Sequence, residues 1–278
     1  MKEYSVEAFV LRLRPLGEAD RILTLFSRER GKLSAVAKGS RATRSKFGAR
    51  LDFFARSRLT LHTGRNLDII TGATLVANAW DKLVDPDVFA SVGYVAEVID
   101  SLCEPDMAVP EIYDLLCELQ TLVERGEATA SMLPAIDLRL LGALGLAPEL
   151  EACARCGSAL GRRPLSGGRC KLSPQAGGLV CRRCALGLGG VAADRDGTAV
   201  ADRTAFSVSA SELRMLQALR GMPLQLAAAR PEIAALRSRT RPFVEYQLGR
   251  RSKALSVLDV HARPRGARRN VRERAAGA

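Results

Sequence analysis

The chain has 278 residues, 47% of them hydrophobic and 26% charged, the make-up of a globular protein with a real core. Its 42 Lys and Arg outnumber 30 Asp and Glu, giving a net charge of +12 that points to a polyanion, nucleic acid or an anionic membrane surface. No apolar run reaches the roughly 18 residues of a membrane-spanning helix, and the start MKEYSVEAFVLRLR lacks a signal-peptide pattern, so a cytoplasmic protein with reduced cysteines is expected.

Charge divides the chain into three. Residues 1–80 hold 15 Lys and Arg against 7 acids, residues 81–150 hold 3 against 14, and residues 151–278 hold 24 against 9. The first part reads as short strands: VEAFVLRL and RILTLFS with RPLGEAD as a loop between them, then KLSAV, LDFFARSRLTLH and LDIITGATLV. Five strands in about 75 residues without a helical pattern predict a small closed barrel of the OB type, with an SH3-like barrel as the nearest competitor.

Within it, AKGSRATRSKFGARL carries Lys38, Arg41, Arg44, Lys46 and Arg50 and no carboxylate. Between Gly31 and Asn66 there are nine Lys and Arg and one acid, Asp52. Strand alternation sends Leu51, Phe53, Ala55, Leu59 and Leu61 to one side and Arg56, Arg58, Thr60 and His62 to the other. An OB barrel with such an outer face can hold the backbone of single strands, with Phe47 and Phe54 as candidates to stack on bases, Phe47 equally readable as a buried anchor. A merely solubilising loop is the plainer alternative, but an ordinary solvated face intersperses acids.

The second part changes period. PDVFASVGYVAEVIDSL and PEIYDLLCELQTLVER space apolar residues three and four apart behind a proline, and MLPAIDLRLLGAL stops near Gly145 and Pro148. The acids of these helices read as a solvated outer face, with a docking surface for a basic partner as the sharper reading. CARC (153–156) and CRRC (181–184) then form two C-x2-C knuckles. Cys153, Cys156, Cys181 and Cys184 are the ligand set of a structural Zn2+, four thiolates leaving no position for water. Cys103 and Cys117 read as small core residues and Cys170 as a bystander in the intervening loop. Arg155, Arg182 and Arg183 in the knuckles are candidates to extend a nucleic-acid surface. SASELRMLQAL and RTRPFVEYQLGRRSKALSVLDV resume helical spacing, the first behind a Ser-x-x-Glu cap. ARPRGARRNVRERAAGA, with six arginines and one acid, reads as a disordered basic tail.

No active site emerges. There is no GxxxxGK[ST] loop, G-x-S-x-G elbow or HExxH, Gly187, Gly189 and Gly190 open no dinucleotide unit, and the two histidines, His62 and His261, stand at a strand end and near the tail.

Taken together, GEADRILTLFSRERGKLSAVAKGSRATRSKF, LRLLGALGLAPELEACARCG with LSPQAGGLVCRRC, and RPFVEYQLGRRSKALSVL resemble the RecO family of bacterial recombination mediators over nearly the whole chain. Some family members lack the four cysteines, and the arginine-rich tail is not part of the family pattern. The resemblance implies an α+β multidomain protein. Its parts are an OB-fold nucleic-acid-binding domain over 1–80, a helical domain over 81–150 and 191–260, a four-cysteine zinc ribbon inserted over 151–190, and a tail over 261–278. It further implies a non-enzymatic, nucleoid-associated DNA-repair protein that binds single- and double-stranded DNA and anneals strands coated by single-strand-binding protein. With RecR, such a protein helps load RecA. The backbone contacts read from the residues are Lys38, Arg41, Arg44, Lys46, Arg50, Arg56 and Arg58. The alternative from another class is an OB-fold and zinc-ribbon protein that binds RNA or serves transcription.

Overall fold

A computed structural model describes residues 2–159, 169–186, 202 and 204–254. Gly187, Gly189, Gly190, His261 and the arginine-rich tail lie outside the described residues.

Five strands form the amino-terminal unit: β1 (Glu3–Leu16), β2 (Asp20–Ser27), β3 (Gly31–Ala37), β4 (Arg56–His62) and β5 (Asp68–Ala77). They close into a barrel in the order β1-β2-β3-β5-β4. β1 pairs antiparallel with both β2 and β4, and β5 meets β3 in parallel through Ala35–Asp68 and Val36–Ile69. This is the five-stranded OB-type barrel expected from the sequence. The register slips between Val10 and Arg12, a bulge of the kind that lets one long strand bend around a small barrel. The loop expected at RPLGEAD shrinks to residues 17–19, because Pro15 and Leu16 still pair with Arg21 and Asp20. Alternation holds well in β3 and β4, sending Leu33, Ala35, Leu59 and Leu61 into the barrel with Val10, Leu23, Leu25 and Ile70.

Two proline-led helices follow, α1 (Pro86–Leu102) and α2 (Pro110–Arg125), with the bounds that the apolar spacing predicts. Asp85 caps α1, accepting from the N–H groups of Asp87 and Val88. α3 (Leu133–Ala143) comes next. A small sheet then forms from β6 (Arg169–Ser173), β7 (Gly178–Val180) and, later in the chain, β8 (Phe206–Ser209), with the one-turn α4 (Arg182–Ala185) after β7. β8 pairs with β6, so the sheet beside the cysteines takes a strand from beyond residue 190. Cys170 lies in β6, buried in the helical core, not in a loop as expected. The chain continues through α5 (Ala210–Leu219), α6 (Leu224–Ala228) and α7 (Arg237–Leu248). Ser209 and Glu212 make the predicted reciprocal cap of α5.

One apolar core joins these parts. It runs through α1, α2, α3, α5, α6 and α7, takes Leu172, Leu179 and Val208 from the small sheet, and reaches Phe9, Leu11, Phe26 and Phe54 on the barrel. The barrel is therefore seated on the helices. Gly31 marks a close approach: its φ of 62° suits glycine, and a Cβ there would strike the Met107 carbonyl. Across the same seam Asp106 N–H donates to the Lys32 carbonyl at 2.9 Å and Lys32 Nζ to the Asp100 carbonyl at 2.7 Å.

Within the helical core, Asp137 is fully buried and accepts from the hydroxyls of Tyr94 (2.6 Å) and Thr240 (2.5 Å), tying α1, α3 and α7 together. Burial pushes its carboxyl up from 3.8 to about 6, although Thr240, Tyr94 and the nearby Arg237 and Arg241 favour the charged form. The folded state thus holds this proton more tightly than the unfolded chain. Its effect on stability is absent below the unfolded pKa, grows unfavourable as pH rises between about 4 and 6, and is constant above. Asp137→Asn, which cannot ionise, is expected to gain on the parent protein across that window in urea unfolding. Asp137→Ala, leaving two hydroxyls without an acceptor, is expected to lose on the order of 3 kcal/mol. Parallel pH profiles for Asn variant and parent would count against this account.

Candidate nucleic-acid interface and metal centre

The basic segment between β3 and β4 is a shaped loop. Gly39 N–H donates to Asp20 Oδ1 (2.7 Å) and Arg41 N–H to the Ala19 carbonyl (2.8 Å), which folds the loop over the β1–β2 turn. Phe47 and Leu51, 2% and 1% exposed, anchor its far end in the barrel core through a short 3-10 turn at Gly48–Leu51. The side chains of Lys38, Arg41, Arg44, Lys46 and Arg50 are all exposed.

What these cations touch is informative. Arg41 Nη1 donates to the Gly17 carbonyl (3.1 Å), Lys46 Nζ to that of Thr71 (2.9 Å) and Arg50 Nη1 to that of Lys46 (2.9 Å). These acceptors are neutral. Among the described residues no carboxylate lies within ion-pair distance of any of the five. Elsewhere on the barrel four arginines are matched: Arg12 with Asp100 (3.0 Å), Arg28 with Asp114, Arg30 with Asp106, and Arg21 with Asp52 (3.6 Å). The acids of α1 and α2 expected on a solvated face thus serve in part as counter-charges to the barrel, and leave the loop uncompensated.

The remaining two candidates part company. Arg58 is exposed on β4, its Nη2 3.4 Å from Glu7 Oε2. Arg56 turns to α2, donating to Cys117 Sγ at 3.2 Å beside Glu7, whose other oxygen accepts from Tyr113 (3.0 Å). The aromatic stacking expectation is corrected. Phe47 and Phe54 both point inward; Phe54, at φ 61° in the turn before β4, packs on Phe9 with ring centroids 5.4 Å apart. The turn at residues 52–55 breaks the alternation that a continuous strand from Leu51 would have had. In a chain with 5% aromatics, core burial claims these rings first.

At the knuckles, the sulfurs of Cys153, Cys156, Cys181 and Cys184 all lie within 4.8 Å of one another. Cys156 and Cys181 Sγ are 3.8 Å apart, which equals the edge of a tetrahedron with metal–sulfur bonds of about 2.3 Å. Local backbone prepares the thiolates: Cys181 N–H donates to Cys153 Sγ (3.3 Å) and Cys184 N–H to Cys181 Sγ (3.5 Å). Burial raises the Cys153 thiol, but N–H bonds from Cys181, Cys156 and Arg155 hold it below its usual value. Ser158 brings Cys156 down to about 6, whereas burial and the neighbouring sulfurs push Cys184 up to about 12. Four thiolates this close need a cation between them, so the group fits a closed metal site. Arg155 is occupied by Asp202 (3.4 Å) and nearly buried, while Arg182 and Arg183 are exposed.

The chain matches the family model for recombination protein O, N terminal, over residues 1–79, and that for recombination protein O, C terminal, over residues 83–256. The chain belongs to the recombination protein O family. It is similar to proteins called DNA repair protein RecO. That of Nocardioides sp. is 40% identical over 184 residues, 65% of this chain and 74% of the relative. That of Thermobifida fusca is 40% identical over 188 residues, 66% of this chain and 74% of the relative. That of Desulfitobacterium hafniense is 36% identical over 184 residues, 66% of this chain and 65% of the relative. The two family segments are separated by residues 80–82, just beyond the last barrel strand, which ends at Ala77. No helix among the described residues is long and apolar enough to cross a membrane.

Proposed function

We propose that this chain is a DNA-repair recombination mediator that acts by binding and pairing strands, without bond-making chemistry of its own. The observation that carries the reading is the set of five exposed cations on one loop, Lys38, Arg41, Arg44, Lys46 and Arg50, that lack a carboxylate while Arg12, Arg28 and Arg30 on the barrel have one. On an OB barrel such a set holds sugar–phosphate chains with little regard to sequence. Arg58, exposed on the neighbouring strand, extends the track; Arg56 is better suited to joining barrel and helices. Neutralised phosphates on two strands no longer repel each other, and base pairing supplies the free energy of annealing, so no nucleotide hydrolysis is required.

Family membership supports the biological setting: binding of single- and double-stranded DNA, annealing of strands coated by single-strand-binding protein, and loading of RecA together with RecR. Cys153, Cys156, Cys181 and Cys184 would hold Zn2+, the ion suited to four thiolates, and with no open position its role is structural. The test is annealing of complementary oligonucleotides, bare and coated, without ATP and over a salt series. Annealing that weakens steeply with salt is expected. A strict ATP requirement, failure on coated DNA, or preference for RNA in direct competition would overturn the reading.

A further inference from the structure

A cavity of about 490 Å3 opens beside the basic loop, where barrel and helices meet. Phe53, Trp80 and Phe89 line it, together with Arg21, Arg41 and Asp52. Phe53 and Phe89 stand with centroids 5.5 Å apart and planes at 60°, so part of the wall is aromatic. Phe89 is half exposed, at 50%, and Val84 on the linker is 80% exposed. Arg21 is already matched by Asp52 at 3.6 Å. Arg41, in contrast, belongs both to this cavity and to the uncompensated loop, and its only polar partner among the described residues is the Gly17 region. The indole N–H of Trp80 is buried and has no acceptor among the described residues.

We propose that this cavity receives an unpaired nucleobase of the strand whose phosphates run along Lys38–Arg50. The inference rests on the proposed strand-binding role and deepens it. A chain of phosphates led over the loop arrives at Arg41, and the surface met next is aromatic and apolar. Apolar rings beside the uncompensated Arg41 suit the flat face of a base attached to an anionic backbone, and suit it whatever the base. In a duplex the bases are stacked and paired, so this pocket engages single strands alone. It thereby supplies the aromatic contact that the buried Phe47 and Phe54 do not.

Trp80 is the single tryptophan of the chain, so its fluorescence reports on this place alone. The experiment titrates the full chain with oligothymidylate, with an abasic strand of equal length, and with a duplex, following binding separately by anisotropy of the labelled DNA. All three are expected to bind, but only oligothymidylate changes Trp80 emission. Phe89→Ala, at a half-exposed position, is expected to weaken oligothymidylate binding by about tenfold, the worth of one stacked base, and to leave the abasic strand unaffected. Equal emission changes with the abasic strand, or none with bound oligothymidylate, overturn the pocket while strand binding stands; the cavity would then suit an apolar protein segment. Absence of binding by any of the three overturns both the pocket and the strand-binding role.

Discussion

Replacement of Lys38, Arg41, Arg44, Lys46 and Arg50 by alanine is expected to abolish strand annealing and to leave the protein folded. Both halves follow from the loop's construction. Its shape is held by Phe47 and Leu51 in the barrel core and by backbone bonds from Gly39 and Arg41 to the β1–β2 turn, none of which needs the five charges. The charges themselves donate only to carbonyls, and solvent-exposed bonds of that kind contribute little to stability. For DNA they count differently. If each neutralises one phosphate, the logarithm of single-strand affinity falls against the logarithm of salt with a slope of roughly −3.5, and the substituted chain loses that slope. Arg28→Ala is the control, since Asp114 already matches its charge; it should leave the slope close to that of the parent. An unchanged slope and undiminished annealing in the fivefold variant would sink the assignment of the strand path to this loop.

The second large effect concerns the four cysteines. Cys153 and Cys156 changed together to serine remove half of the four-cysteine group, and on the proposed reading a loss of one bound metal ion per chain, zinc, is expected by elemental analysis. The consequence should extend beyond the knuckles. Leu150 lies in the helical core just ahead of Cys153, and Leu179, which meets Ala154 and Glu149 through backbone bonds, lies there too. Freeing the knuckles loosens β6 and β7, whose Leu172 and Leu179 pack with Val208 against the helices. Structural zinc sites contribute roughly 10–16 kcal/mol in isolated fingers. Here the hydrophobic core shares that task, so a fall in melting temperature of about 10 °C or more, not complete unfolding, is the expected result. Chelation at neutral pH should reproduce it. Cys170→Ser, in the same sheet but with its side chain among core residues and outside the cluster, should keep the metal. A chain without metal and with the parent's melting temperature would refute the closed site.

Phe54 shows where reading along the chain stops. In a strand from Leu51 to His62 it would face away from the core, beside the arginines; in the structure it sits at φ 61° in a turn and packs on Phe9, 45 positions earlier in the chain. The acids of α1 and α2 were similarly readable as helix residues but not as partners of Arg12 and Arg28, which are 88 and 86 positions away. Trp80 gave no signal at all, a lone aromatic at the end of a strand pattern.

By itself the sequence determined whatever depends on neighbours within a turn or two. Apolar spacing and Pro86 and Pro110 define α1 and α2, alternation defines β3 and β4, cysteine spacing defines a metal ligand set, and the run from Lys38 to Arg50 declares a cationic loop. Tertiary structure decided which cations remain uncompensated, which rings are buried, that β8 completes the sheet beside the cysteines, and that Phe53, Trp80 and Phe89 share a cavity. The physical reason is range: periodicity and capping act over a few residues, whereas ion pairing and cavity formation join groups that approach only after the barrel closes and settles on the helices.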